Sequence, residues 1–205
     1  LEKFENLKHS SDLYGLNVTI PYKEKIIGFV DELDDTAKKI GAVNVIKFIR
    51  TESRLILKGY NSDAVGFEKS LQPLLKSHYS KALILGTGGA SKAVKYVLDN
   101  MGISSVFVSR RPSENMLSYQ QIDKNILNDF KLIINASPVG TFPNVNQCPD
   151  IPYQFLDSSH ILYDLVYNPA ETLFMKRGKE RGATVCNGEA MLIGQAEAAW
   201  EIWNS

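Results

Sequence analysis

The run Lys81–Ser91, KALILGTGGAS, sets three glycines, Gly86, Gly88 and Gly89, between an apolar stretch and the start of a helical one. That pattern suits binding of the pyrophosphate of a dinucleotide. Gly86 allows a tight turn out of a strand, and Gly88 lets the backbone approach the anion without a Cβ in the way. The free amides of the helix that starts after Gly89 then point at negative charge, which the helix dipole favours. The third small position falls on Ser91, with Ala90 beside it, so the match is to G-x-G-G-A-S rather than to the full fingerprint. Taken alone, the same residues also describe a turn between a strand and a packed helix. The apolar run before the turn, and a second strand at Ser105–Val108 with the spacing of a βαβ unit, favour the phosphate. At the end of that second strand a chain that binds NAD carries an acidic residue for the ribose hydroxyls. Here Ser109, Arg110 and Arg111 stand instead. Two guanidinium groups suit the dianionic 2′-phosphate of NADP through bidentate, charge-assisted hydrogen bonds.

Two further polar clusters stand where strands end. Gly15–Pro21, GLNVTIP, alternates apolar Leu16, Val18 and Ile20 with polar Asn17 and Thr19, the period of a half-buried strand that Pro21 closes. Thr19 and Lys23 therefore lie at or just after a strand end, where functional side chains are commonly displayed. A threonine there, and a lysine beside Glu24 and Lys25, equally describe a solvated face. Asn61, Ser62 and Asp63 follow a strand and precede a helix predicted over Ala64–Lys76, so Ser62 or Asp63 is expected to cap that helix while its neighbour stays available for chemistry.

The elements that must position these groups alternate along the chain. Leu1–Ser10 reads as a short amphipathic helix, and Asp34–Ile40 as a helix capped by its aspartates and closed by Gly41. Strands at Val43–Ile49 and Arg54–Lys58 flank Arg50–Ser53 as a hairpin. From Lys81 onward, strands at Ser105–Val108, Leu132–Asn135, Ile161–Leu165 and Thr184–Cys186 interleave with helices at Ala90–Asn100, around Ser118–Asn128, and at Leu173–Arg181 and Glu189–Trp203. This rhythm predicts an α/β protein with a parallel sheet covered on both faces. A Rossmann-like NADP-binding domain is expected over residues 78–188, after a smaller α/β substrate domain over 1–77. Trp200 and Trp203 read as core anchors of the last helix, and His9, His78 and His160 as surface residues.

Composition narrows the partners. The 205 residues suffice for one large or two small domains. Lysine plus arginine equals aspartate plus glutamate at 23 each, and no basic run is interleaved with aromatics, which argues against nucleic acid and anionic membrane. Cys148 and Cys186 match no metal-ligand spacing and read as two idle thiols, with no metal site expected. No apolar run approaches membrane length and the amino end lacks a signal-peptide layout, so a cytoplasmic protein, monomeric or homodimeric, is expected. The chain opens on Leu1 in what reads as a helix in progress, as if a domain had lost its beginning.

Seven motifs occur in fixed order: NVTIPYK from Asn17, GAVN from Gly41, GYNSD from Gly59, GTGGAS from Gly86, NASPVG from Asn135, DLVYNP from Asp164 and NGEAMLIGQ from Asn187. The series resembles the shikimate dehydrogenase family over nearly the whole chain. The resemblance implies a two-domain enzyme that reversibly reduces 3-dehydroshikimate to shikimate with NADP, the substrate lying between the domains. It implies that Lys23 and Asp63 are the catalytic pair and that Thr19, Asn44, Tyr167 and Gln195 hold substrate. By the same resemblance Gly86, Gly88, Gly89, Ala90, Ser109, Arg110 and Arg111 contact the cofactor, and residues 189–205 form a helix that packs back on the first domain. Ser62 stands where threonine is usual, and Ser109 where asparagine is usual; Ser137 and Thr141 also depart from common family choices. The Ser-x-Ser and His-Asn elements with which the family opens have no match before Asn17. The expectation is a chain short of part of its first domain, with weak shikimate binding and little turnover.

Ketone reduction needs a hydride donor at the carbonyl carbon and a proton donor at its oxygen. A free lysine, with a pKa near 10.4, is a ready acid but a poor base at neutral pH, and a nearby carboxylate holds it charged. The expectation is that Lys23 touches the reacting oxygen and Asp63 orients it. Oxidation of quinate or a related cyclic hydroxy acid, and a non-catalytic NADP-sensing module, remain open as other readings.

Overall fold

The computed structural model describes residues 2–8 and 10–205. Helix α1, Glu2–Leu7, occupies the predicted amphipathic stretch in shortened form, and His9 lies outside the described residues. Strands β1 (Gly15–Asn17), β2 (Glu32–Leu33), β3 (Val45–Arg50) and β4 (Leu55–Tyr60) form one sheet in the order β1-β3-β4-β2. Its β1, β3 and β4 run antiparallel, while β2 is parallel to β4. Strand β1 stops at Asn17 rather than at Pro21. Val18 still donates to the Asn44 carbonyl at 2.8 Å, but a turn closed from the Tyr22 amide to the Thr19 carbonyl then takes the chain outward. Helix α2, Asp35–Ile40, begins where Asp34 accepts from the amides of Thr36 and Ala37 and ends at Gly41, whose φ of +69° is left-handed. Phe4, Ile26, Val43, Ile46, Phe48 and Leu57 fill the core of this unit.

Helix α3, Ser62–Leu71, ends before the predicted Lys76, because Pro73 breaks the ladder and leaves a 3-10 turn at Gln72–Leu74. Its cap is Asn61, not Ser62 or Asp63: the Asn61 Oδ1 accepts from the Ala64 amide at 3.2 Å. The predicted hairpin is present, closed from the Thr51 amide to the Arg54 carbonyl at 2.9 Å.

The second sheet comprises β5 (Lys81–Leu85), β6 (Ser104–Ser109), β7 (Leu117–Ser118), β8 (Leu132–Asn135), β9 (Ile161–Asp164) and β10 (Thr184–Cys186). All are parallel, in the order β10-β9-β8-β5-β6-β7. Helices α4 (Gly89–Asn100), α5 (Lys124–Asp129) and α6 (Leu173–Lys179) are its crossovers. Burial on both faces explains why β5, β8 and β9 are near-continuous apolar runs. One core cluster joins Ile84, Leu132 and Tyr163 of this sheet to Phe67 and Leu71 of α3 and to Ala42, so the two units share apolar contacts. Phe67 meets Tyr163 edge to face at 5.2 Å, and Ser70 Oγ lies 2.6 Å from the Tyr163 hydroxyl.

Helix α7, Glu189–Asn204, lies along α3. Its Trp203 donates to the Ile46 carbonyl at 3.1 Å, but Trp200 is 67% exposed and anchors nothing, because Ala198 and Ala199 are the buried positions of that turn. His160, expected at the surface, is fully buried, its Nε2 at 2.9 Å from the Leu127 carbonyl.

Candidate active site

Asp63 is the second residue of α3, and because Asn61 takes the capping role the Asp63 carboxylate is left to face inward, 1% exposed. Lys23 follows the outward turn at Thr19–Tyr22. Its backbone is fixed by the Val43 amide, which donates to the Lys23 carbonyl at 2.7 Å, and its Nζ donates to Asp63 Oδ2 at 2.6 Å. The lysine side chain keeps 13% exposure against 2% for the aspartate, so the ammonium is the member of the pair that reaches solvent.

Asn44 completes the arrangement. Its Nδ2 donates to Asp63 Oδ1 at 2.9 Å and lies 3.0 Å from Ser62 Oγ and 3.3 Å from Gln195 Oε1. The Ser62 amide donates to Asn44 Oδ1 at 2.7 Å and thereby sets which way the carboxamide faces. Gln195 comes from α7, which approaches α3 closely because Gly66 and Gly194 face each other: a Cβ at Gly194 would lie 3.1 Å from Gly66 Cα. Four of the predicted residues, Lys23, Asn44, Asp63 and Gln195, thus share one hydrogen-bonded cluster. Thr19 and Tyr167 stand outside it, both exposed and, among the described residues, without a side-chain hydrogen bond. Sequence reasoning offered Ser62 as a candidate cap and noted its departure from threonine, but missed its hold on Asn44. It also missed Gly66 and Gly194, for which a glycine inside a helical pattern is the available signal of close backbone approach.

The glycine-rich turn borders the same cluster. Gly86 has φ +116°, which only glycine adopts readily, and a Cβ there would meet the Ala136 carbonyl at 3.1 Å. Gly88 faces open space and caps α4 without a side-chain hydrogen bond, so the first amides of a twelve-residue helix lack a capping side chain. Ser91, the third small position, is buried and donates to the Gly88 carbonyl at 2.6 Å. Gly89 does not face the open side: a Cβ there would lie 3.0 Å from Lys23 Cβ. Ser109 ends β6, and its Oγ accepts from the Arg111 amide at 3.1 Å, while Arg110 and Arg111 are exposed. An open glycine cradle, uncapped helix amides and two free guanidinium groups beyond the second strand fit a dinucleotide carrying a 2′-phosphate.

A parallel nucleotide-binding sheet of Rossmann-like form, joined to a smaller mixed sheet with a half-buried lysine–aspartate pair between them, defines a two-unit α/β protein of the dehydrogenase class. Residues 1–46 match the family described as the shikimate dehydrogenase substrate binding domain. The chain is 37% identical over 222 residues to the shikimate dehydrogenase (NADP(+)) of Methanosphaera stadtmanae, covering 97% of this chain and 77% of that protein. It is 41% identical over 204 residues to the corresponding enzyme of Carboxydothermus hydrogenoformans, covering 92% and 71%. The structure of shikimate 5-dehydrogenase from Thermus thermophilus in complex with NADP(H) and shikimate superimposes with a TM-score of 0.82 at 28% identity, covering 98% of this chain and 76% of that one. The chain belongs to the shikimate dehydrogenase family.

Proposed function

We propose that the chain catalyses the reversible, NADP-dependent interconversion of 3-dehydroshikimate and shikimate. The observation that carries this reading is the contact of Gly89 with Lys23, which sets the dinucleotide turn against the proton-transferring pair. Support comes from the relatives named shikimate dehydrogenase (NADP(+)) and from the Thermus thermophilus enzyme solved with NADP(H) and shikimate. In this proposal residues 1–77 with 189–205 hold the substrate and 78–188 the cofactor. A cytoplasmic setting, monomeric or homodimeric, is part of it; two free cysteines agree, and among the described residues no helix is long and apolar enough to cross a membrane.

NADP, when bound, would take or supply the hydride. The chain's own residues handle the proton. In reduction the Lys23 ammonium donates to the carbonyl oxygen as negative charge develops there, and in oxidation Lys23, having first released a proton to solvent, takes the hydroxyl proton as the neutral amine. Asp63 holds Nζ in place and keeps the charge of the pair balanced, and Asn44 holds the second carboxylate oxygen. Asn44 and Gln195 offer amide groups to the ring hydroxyls from the cluster, while Thr19 and Tyr167 offer free hydroxyls from its rim. Gly86, Gly88, Gly89 and Ala90 form the phosphate turn, and Ser109, Arg110 and Arg111 receive the 2′-phosphate. Shikimate oxidation followed by nicotinamide absorbance, with NADP and NAD and with quinate beside shikimate, tests the reading. Slow but shikimate-dependent turnover with NADP is expected; turnover with quinate alone moves the substrate, and none with either sinks the proposal.

A further inference from the structure

A second buried polar network lies at the carboxyl ends of β8 and β9, apart from the Lys23 cluster. Asn135 and Asp164 are the last residues of these strands and stand opposite each other in the parallel register. Both are fully buried, as is Thr172, the cap of α6. Asn135 Nδ2 donates to Asp164 Oδ1 at 2.9 Å, and the same oxygen accepts from the Val166 amide at 3.0 Å. Thr172 Oγ1 donates to Asp164 Oδ2 at 2.7 Å. On the other side, Asn135 Oδ1 accepts from the Ser137 hydroxyl at 2.6 Å and the Ser137 amide at 3.2 Å, and Asn135 Nδ2 reaches the Val139 carbonyl at 3.2 Å. Buried polar groups at the ends of otherwise apolar parallel strands are costly unless satisfied, and here they are satisfied by the two turns that follow those strands.

The place of those turns gives the network a use. Strand β5 lies between β6 and β8, and the chain leaves β5 through the glycine turn and crosses by α4 to β6. The strand order therefore reverses between β5 and β8, where a dinucleotide straddles such a sheet. On the NADP reading Arg110 and Arg111, after β6, would hold the adenosine side, and the ends of β8 and β9 would then be left to the nicotinamide half. The turn after β8 already abuts the cradle, since the Ala136 carbonyl faces Gly86, and the turn after β9 carries Tyr167.

We propose that Asn135, Asp164 and Thr172 are positioning residues that clasp the turns 136–141 and 165–168 into one wall for the nicotinamide half, leaving the adenosine half to bind independently. The proposal rests on the NADP reading. Loss of the Asp164 side chain frees the turn after β9 at Val166 and removes the bond that fixes the Asn135 carboxamide, so the turn that Asn135 holds through Ser137 and Val139 loosens with it. Asp164→Asn keeps the clasp, because its amide oxygen accepts from Asn135 and Val166 while its NH2 donates to Thr172 Oγ1, whose hydroxyl turns away.

The test compares NADPH with adenosine 2′,5′-bisphosphate, which has no nicotinamide half, by fluorescence and calorimetric titration of the wild-type chain, Asp164→Ala, Asn135→Ala and Asp164→Asn. Each alanine variant is expected to weaken NADPH by about tenfold or more, the scale of one or two lost hydrogen bonds, with the bisphosphate within about twofold and with Asp164→Asn close to wild type. Amide exchange in Asp164→Ala is expected to quicken at Ser137 and Val139 as well as at Val166, with β5 unchanged. Equal weakening of both probes, no weakening of either, or faster exchange confined to residues 165–168 overturns the proposal. A wild-type chain that binds neither probe overturns the NADP reading and the proposal with it.

Discussion

A methyl group added at Gly89 would lie 3.0 Å from Lys23 Cβ, so the first residue of α4 rests directly on the lysine that pairs with Asp63. The helix that the proposed function gives to the cofactor and the side chain it gives to the substrate are thereby held at one spacing. Gly89→Ala must displace Lys23 by a few tenths of an ångström, and the atom in the way is a Cβ rather than a flexible tip. Turnover is expected to fall severalfold, with a stability loss of about 1 kcal/mol in urea unfolding. Unchanged turnover would show that the spacing does not matter.

Arg110 and Arg111 are exposed and free to meet a ligand. A charge-assisted hydrogen bond to a phosphate is worth about 1.5–3 kcal/mol, so Arg110→Ala is expected to weaken NADPH by roughly ten- to a hundredfold while leaving NADH nearly unchanged. Parallel fluorescence titrations check it, and equal loss for both cofactors would remove the 2′-phosphate from the account.

Gly66 sets the approach of α3 and α7. A methyl there would overlap the Met191 carbonyl and come within 2.8 Å of the Gln195 amide nitrogen, both backbone atoms that cannot turn aside. Gly66→Ala is expected to cost about 2–3 kcal/mol in chemical denaturation and to raise the KM for shikimate, because Gln195 moves with α7. A variant as stable as wild type would mean that α7 is not held where the structure has it.

What was legible in the sequence was mostly local. Asp34 and Gly41 announce the two ends of α2, and the apolar run into Gly86 announces the turn after β5, because each signal lies within a few residues of its consequence. Asn61, Ser62 and Asp63 are all competent caps, and which one serves depends on β4 pairing as far as Tyr60, a fact of register with β3. Within the cluster of Lys23, Asn44, Asp63 and Gln195 a single hydrogen bond, from Asn44 to Gln195, spans 151 positions, and no periodicity encodes it. Only the ordered motifs pointed there. Trp200 and His160 were misplaced for one reason: residue type is a weak guide to burial when a neighbouring alanine pair fills the core or a backbone carbonyl satisfies the ring.

Burial raises the Asp164 carboxyl from its ordinary 3.8 to about 6, against the lowering effect of the bonds from Thr172, Val166 and Asn135. The folded chain therefore holds this proton more tightly than the unfolded chain. The contribution is fully present below the unfolded value and is lost as pH rises through about 6. A rise of that size is worth on the order of 3 kcal/mol. Relative to Asp164→Asn, which does not titrate, wild-type stability is expected to fall by that amount between about pH 4 and about pH 7 in urea unfolding. Asp157, held down to about 2 chiefly by the Ser159 hydroxyl, titrates below this window and does not interfere. A flat difference between the two proteins would show that Asp164 keeps an ordinary affinity for its proton.

The measurement closest to the central claim is shikimate-dependent reduction of NADP by Lys23→Met and Asp63→Asn beside the wild-type chain, with NADPH affinity measured on all three. Turnover is expected to fall by roughly 10²–10⁴-fold in Lys23→Met, the scale of general acid–base catalysis, and less in Asp63→Asn, while NADPH affinity stays within about twofold. Wild-type turnover in Lys23→Met would contradict the assignment of the proton to that lysine.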